Sequence, residues 1–298
     1  MLTSGLSGSN NDQTRVLPEH VQWPSYRPYT VSVARVQRVS TAFTRVTFTG
    51  PELAHFGTAG LDQRIKLVLP LPETGIAHFP LTNDWYTLWR QLDDARRNPL
   101  RTYTVLQPRP ENCEIDVDFV RHGDVGQAAR WLNTVTIGSA VAIVGPDARG
   151  GEPRAGIEWD PGHAHTVLLA GDETAAPAMC SILAGMDRTT RGIAFIEVPE
   201  LGDRRETHAP AGVEVRWLAR SATVNPPLAA AVRDWTLNLL ASAPENESDR
   251  LKAGGLYGWL AGESSMVTRI RRTLVSEIGI DKRHVTFMGY WRAGHSEN

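Results

Sequence analysis

The periodicity of the chain changes once, across a stretch dense in glycine and proline from Gly145 to Gly162, and nothing else in the sequence constrains the fold as strongly. Ahead of that stretch, apolar residues alternate in short runs: Val31 to Val39, Arg45 to Thr49 and Arg64 to Pro70, with further runs opening at Arg101, Glu114 and Ala140. Alternation with period 2 marks half-buried strands. Many short strands separated by turn signals predict an antiparallel barrel, which leaves few edges unpaired. Behind the stretch, strands at Thr166 to Ala170, Gly192 to Val198, Val213 to Leu218 and Leu256 to Ala261 are interleaved with helical patterns. Leu228, Val232, Trp235 and Leu239 recur at helical spacing between Pro227 and Ala241, as do Val267, Ile270, Leu274 and Ile278 after Glu263. With a last strand over His284 to Met288, this order predicts a doubly wound parallel sheet.

The expected class is therefore α/β plus all-β: an N-terminal antiparallel β-barrel domain, then a doubly wound parallel-sheet domain. The expected divisions are a disordered tail over 1–25, the barrel over 26–150, a linker over 151–162 and the α/β domain over 163–298. A chain of 298 residues is long enough for two cores. A net charge of −2 gives no bulk-charge case for nucleic acid. No apolar run reaches the length of a membrane span, and the first residues lack the apolar segment of a secretory signal. These features point to a cytoplasmic protein without a nucleic-acid or membrane partner; a monomer is the expected state. Cys113 and Cys180 fall in different halves and neither belongs to a C-x-x-C, which argues against a disulfide or a metal site. The long connection from Pro70 to Arg101, with a helical turn around Trp85 to Leu92, reads either as a flap near the site or as an insertion packed on the barrel.

Arg101-Thr102-Tyr103-Thr104 heads one of the alternating runs. On a strand, Arg101 and Tyr103 share a face and Thr104 points to the other. One face then carries a planar cation suited to a diphosphate beside a ring able to pack on a flavin. The Thr104 hydroxyl suits the flavin's polar edge. An ordinary amphipathic strand would show the same pattern. Downstream, a strand over Glu114 to Val120 runs into a turn at His122-Gly123-Asp124, and Gly126 opens a helix through Ala128, Ala129 and Trp131. A glycine turn into a helix start presents free N–H groups and positive dipole to a diphosphate. Val167 to Ala170, the turn at Gly171 and the helix that follows look like the first unit of a nucleotide-binding sheet, without a G-x-G-x-x-G.

Taken in order, R-T-Y-T-V, H-G-D-x-G-x-A-x-R-W, G-D-E-T-A-x-P-A, W-L-A-G-E and G-Y-W-R-x-G resemble the siderophore-interacting protein family over roughly residues 28–294. Members of that family are FAD-containing ferric-siderophore reductases related to the ferredoxin reductases. Gln127 stands where the family commonly has proline, which would pre-set the first helical turn. The resemblance implies FAD held by Arg101, Thr102, Tyr103, Thr104, Asp118 and Val120 from the barrel, with His122, Gly123, Gly126, Gln127 and Ala128 on its diphosphate and adenosine part. It implies that Gly171, Asp172, Glu173 and Thr174 lie on the NADH or NADPH side, with Ala261, Gly262 and Glu263 lining the same cleft. The carboxylates there would repel an anionic cofactor by about 4 kcal/mol per pair at ~4 Å, so they either turn away from it or cap the helices that follow. Tyr290 and Trp291, just after the last strand, either cover the flavin or close the domain interface.

Lys66, Arg130 and Arg292 would form a cationic basin for an anionic ferric siderophore, unless they are three unrelated surface charges. The implied activity is reduction of Fe(III)-siderophore to release Fe(II), with electrons from NADH, NADPH or a ferredoxin-like protein. A general flavin reductase serving a protein acceptor and a non-catalytic flavoprotein remain as alternatives. Glu197 and Glu200 disfavour a 2′-phosphate on the nicotinamide dinucleotide, whereas Arg204 and Arg205 favour one.

Overall fold

The computed structural model describes residues 23–57, 59–121, 126–220 and 228–294. In chain order the first half carries β1 (Tyr26–Arg38), β2 (Phe43–Thr49), β3 (Arg64–Val68), α1 (Trp85–Gln91), β4 (Leu100–Thr104), β5 (Gln107–Arg109), β6 (Glu114–Val120), α2 (Gln127–Thr134) and β7 (Ala140–Pro146). Its strands form one seven-stranded sheet in the order β4-β3-β7-β1-β2-β6-β5, and every pairing in it is antiparallel. Alternate residues point inward, as the period requires: Val31 and Val33, Val46 and Phe48, Val117 and Phe119, Val141 and Ile143 meet in one core. The sheet curls into a half-barrel. Instead of closing by a further ladder, it is sealed by α2, whose Trp131 and Leu132 join the same core and whose indole stacks on Phe48 at 6.3 Å.

The second half carries β8 (Thr166–Gly171), α3 (Ala176–Gly185), β9 (Arg191–Val198), β10 (Val213–Ala219), α4 (Leu228–Ser242), α5 (Glu245–Arg250), β11 (Leu256–Glu263), α6 (Ser264–Arg272) and β12 (Val285–Trp291). Five parallel strands are ordered β10-β9-β8-β11-β12. The chain starts in the middle, builds outward through β9 and β10, then crosses over to β11 and β12. The order therefore reverses between β8 and β11, the place where open α/β sheets take ligands. Residues of β8 alternate between two cores: Val167 and Leu169 pack toward α3, Leu168 and Ala170 toward α4 and α6. Helices on both faces are what a buried parallel sheet needs.

The last strand runs three residues past the expected Met288, so Tyr290 and Trp291 belong to β12 rather than to a tail after it. The connection between β3 and β4 packs on the half-barrel: Phe79, Trp85 and Trp89 cover Val68, Ala142 and Val144. Among the described residues no helix is long and apolar enough to cross a membrane.

Candidate functional site

A cleft of about 290 Å³ opens where the two sheets meet. Arg101, Thr102, Tyr103 and Thr104 of β4 form one wall, continued by Asp118 and Val120 of β6 and Ala128 of α2. The opposite wall comes from the parallel sheet: Thr174 and Pro177 at the start of α3, and Met288, Gly289 and Tyr290 of β12. Arg101 Nη2 donates to Gln127 Oε1 at 3.0 Å, which joins the end of β4 to the first turn of α2. Gly126 caps that helix without a side-chain acceptor and has φ of +97°, a conformation that only glycine adopts without strain. The first-turn N–H groups of α2 and the Arg101 guanidinium thus sit together, and among the described residues no side chain caps the helix. That is a site suited to an anion.

Tyr103 packs its ring 4.3 Å from Phe119. At the back of the cleft the Tyr290 hydroxyl lies beside Thr104, buried, without a hydrogen bond of ordinary geometry. Burial holds that phenol well above its usual range, so it stays a neutral donor. A cleft joining an anion subsite, an aromatic wall and a buried hydroxyl beside Thr104 fits the diphosphate and the flat polar ring of FAD.

Other predicted residues lie outside this lining. Asp172, 2% exposed, sits at the sheet's reversal point and ties it together. Its Oδ2 accepts from Glu263 N at 2.7 Å and Trp291 Nε1 at 2.9 Å. Its Oδ1 accepts from Thr174 N at 2.9 Å and Thr174 Oγ1 at 2.5 Å. Burial raises the Asp172 carboxyl above the ordinary range, and these bonds offset part of that rise. Gly262, with φ of +136°, has no room for a side chain because a Cβ would fall 2.5 Å from Asp172 Oδ2.

Glu173 neither caps a helix nor faces the cleft. Fully buried, it pairs with Arg220 at 2.5 Å, and Arg220 also holds Glu197 at 2.9 Å. Glu263 is the residue that does cap, accepting from Met266 N at 2.8 Å at the head of α6. Burial would raise its carboxyl, but the bonds from Ser265 and Met266 win and hold it low. Gly171 and Ala261 are buried against one another: a Cβ on Gly171 would stand 2.7 Å from the Ala261 carbonyl oxygen, so this glycine lets the two strands approach.

Of the three basic residues expected at an anionic substrate, only Lys66 lines a hollow. Lys66 lines a separate groove beside α1, with Nζ donating to Thr102 Oγ1 at 2.7 Å. Arg130 and Arg292 are exposed and line neither hollow. Arg205, expected near a 2′-phosphate, turns instead into the half-barrel, where it pairs with Asp118 and covers the Phe43 ring at 4.2 Å. Arg204 donates to Leu201 O at 3.1 Å. His122 and Gly123 lie outside the described residues. Arg64, Pro177 and Met288 line the cleft without having been singled out in the sequence. Pro177 is the proline of G-D-E-T-A-x-P-A and was open to detection, whereas Arg64 stands in no motif.

Two family models match the chain: the siderophore-interacting FAD-binding domain over residues 32–150 and the siderophore-interacting protein over residues 164–294. Ferric vibriobactin reductase ViuB of Vibrio cholerae is 30% identical over 271 residues, 91% of each chain. This chain belongs to the siderophore-interacting protein family. The NADPH-dependent ferric-chelate reductase of Escherichia coli K12 is 24% identical over 268 residues, 88% of this chain and 92% of that one. Among solved structures, the siderophore-interacting protein SipS from Aeromonas hydrophila is 31% identical, with a TM-score of 0.69 over 92% of this chain and 95% of that one.

Proposed function

We propose that this protein is an FAD-dependent ferric-siderophore reductase, taking electrons from NAD(P)H and releasing iron as Fe(II). The observation that carries the reading is the convergence on one cleft of Arg101, the Gly126-headed helix and the Tyr103–Thr104 edge, facing Thr174, Pro177 and Tyr290 across the domain junction. FAD, when bound, supplies the conversion of a two-electron hydride into single electrons. One NAD(P)H thereby reduces two Fe(III) to two Fe(II) and leaves NAD(P)+ and a proton.

The chain's own residues do the positioning. Arg101 and the first turn of α2 neutralise the diphosphate. Tyr103 would pack on the flavin ring and the Thr104 hydroxyl would hydrogen-bond its polar edge. The buried Tyr290 hydroxyl would offer it a neutral donor. The start of α3 forms the face toward the nicotinamide donor, with Thr174 and Pro177 on the cleft and the Asp172 carboxylate turned inward, away from an anionic ligand. Reduction weakens the hard-oxygen coordination that holds Fe(III) in its chelate, and release follows.

An anaerobic titration tests this. The purified yellow protein is mixed with NADPH, NADH or reduced ferredoxin, then with a ferric chelate in the presence of an Fe(II)-specific dye. Bleaching by a donor, followed by return of colour with two Fe(II) per donor molecule, is expected. A protein that stays colourless after incubation with FAD overturns the reading.

A further inference from the structure

The connection between β9 and β10, residues 199–212, does not stay on the parallel sheet. It crosses to the half-barrel as a strap and is held there at two points. Asp203 Oδ1 accepts from Ser40 Oγ at 2.6 Å and from Ala42 N at 2.8 Å. Two residues on, Arg205 Nη1 donates to Asp118 Oδ2, and its guanidinium lies 4.2 Å from the centre of the Phe43 ring. Phe43 belongs to the core beneath α3, the helix whose start faces the cleft through Pro177. The strap therefore grips the half-barrel next to the site.

Asp118 is held from both domains. It is buried in the wall of the cleft. Arg45 of β2, in the same sheet, donates to Oδ1 at 2.8 Å and to Oδ2 at 3.1 Å. Arg205 comes from the other domain and does not itself line the cleft. Its side chain is only 13% exposed, yet its Nε and Nη2 find no acceptor among the described residues. A guanidinium carries five N–H donors, and buried donors without acceptors work against the closed arrangement. Release of the strap would return them to water. What opposes release at this point is attraction to one carboxylate in the cleft's own wall, so what fills the cleft shifts the balance. A ligand there replaces water along the wall, and the attraction between Asp118 and Arg205 grows as the local dielectric falls.

We propose that Arg205 is a positioning residue that, through Asp118, couples FAD binding to the docking of the parallel-sheet domain on the half-barrel. FAD in the cleft tightens the strap, and the docked strap in turn tightens FAD. The donor-facing start of α3 is then seated only once the flavin is in place. This rests on the reading of the cleft as the FAD site and adds what fastens the second domain to it.

The test reads FAD affinity and strap docking separately. FAD dissociation constants are measured by equilibrium dialysis for the unmutated protein, Arg205→Ala, Arg205→Lys and Asp203→Ala, with circular dichroism checking each fold. Hydrogen exchange of the Ala42 amide, whose acceptor is Asp203 on the strap, is followed with and without saturating FAD. Arg205→Ala is expected to weaken FAD binding about tenfold although the residue stands outside the cleft, and FAD is expected to slow Ala42 exchange in the unmutated protein by a similar factor, because coupling is reciprocal. Arg205→Lys keeps the charge and is expected to stay within about threefold of the unmutated protein. Asp203→Ala loosens the strap without touching Asp118 and is expected to weaken FAD binding about threefold or more. Unchanged FAD affinity in Arg205→Ala, Arg205→Lys as weak as Arg205→Ala, or Ala42 exchange indifferent to FAD overturns the proposal. So does a loss in Arg205→Ala with none in Asp203→Ala, because Arg205 then acts on the wall alone. A protein that carries FAD with an indifferent strap sinks the coupling and leaves the reductase reading standing, whereas failure to carry FAD sinks that reading itself.

Discussion

Asp172 illustrates how one carboxylate can fix the geometry of a strand switch. It accepts from the end of β11, from the β12 indole and from the turn into α3. Removing it in Asp172→Ala leaves the buried Glu263 N–H without its acceptor, for which about 1–3 kcal/mol is typical. The expected outcome is a lower thermal midpoint with FAD content retained, since Arg101 and Tyr103 lie on the other sheet; loss of FAD in step with the midpoint would contradict this division. For Arg101→Ala the expectation is reversed. The fold stays intact, and FAD affinity measured by equilibrium dialysis falls about tenfold to a hundredfold, the worth of a charge-assisted bond of roughly 1.5–3 kcal/mol.

Asp147 gives the pH dependence. Burial would raise its carboxyl, but bonds from Arg149 and Arg27 prevail and bring it down to about 2. A depressed carboxyl contributes stability that is present above the unfolded value, near 3.8, and disappears as pH falls through about 2. Acid unfolding followed by circular dichroism is expected to begin earlier in Asp147→Asn, and the difference between variant and parent should vanish below about pH 2.

At the scale of elements, the two ends of β8 and β11 are pressed together. Gly171 was expected to admit a ligand, and the structure shows it admitting the neighbouring strand: a Cβ would lie 2.7 Å from Ala261 O and 2.6 Å from Ala175 Cβ. Both are short-range contacts of rigid groups, so the side chain has nowhere to go. Gly171→Val is therefore expected to destabilise the parallel-sheet domain by more than the roughly 1–3 kcal/mol of ordinary overpacking, seen as a lower denaturant midpoint. Loss of donor oxidation with unchanged stability would restore the ligand role. The extension of β12 has a similar lesson. Tyr290 is the extra residue where the register of β12 against β11 shifts, between the pairs Gly262–Gly289 and Glu263–Trp291; it lines the cleft while Trp291 is bonded to Asp172.

Across the whole molecule, the two sheets are joined by buried polar contacts as well as apolar ones. Asp203, 1% exposed, accepts from Ser40 Oγ at 2.6 Å and Ala42 N at 2.8 Å. Asp62, fully buried, accepts from Trp159 N at 3.1 Å and Trp259 Nε1 at 3.2 Å. Phe43 of β2 belongs to the core under α3. Such contacts should make unfolding of the two halves cooperative. Asp203→Ala leaves the buried Ala42 N–H unsatisfied, at about 1–3 kcal/mol, and is expected to split a single calorimetric transition into two. A single transition at an unchanged midpoint would show that the apolar contact alone couples the halves.

What the sequence determined by itself was whatever depends on neighbours a few residues apart. Strand Glu114–Val120 was read with the bounds it has, because inward and outward side chains alternate within one element. The glycine turn into α2 and the R-T-Y-T strand were visible for the same reason, and with them most of one wall of the cleft. The tertiary structure alone decided which distant charge each buried charge would meet. Arg205 found Asp118 across 87 positions, Arg220 found Glu173 across 47, and Trp291 found Asp172 across 119. These pairings follow from which loops the crossovers bring within about 4 Å, where Coulomb and hydrogen-bond energies become large, and no local spacing encodes that distance.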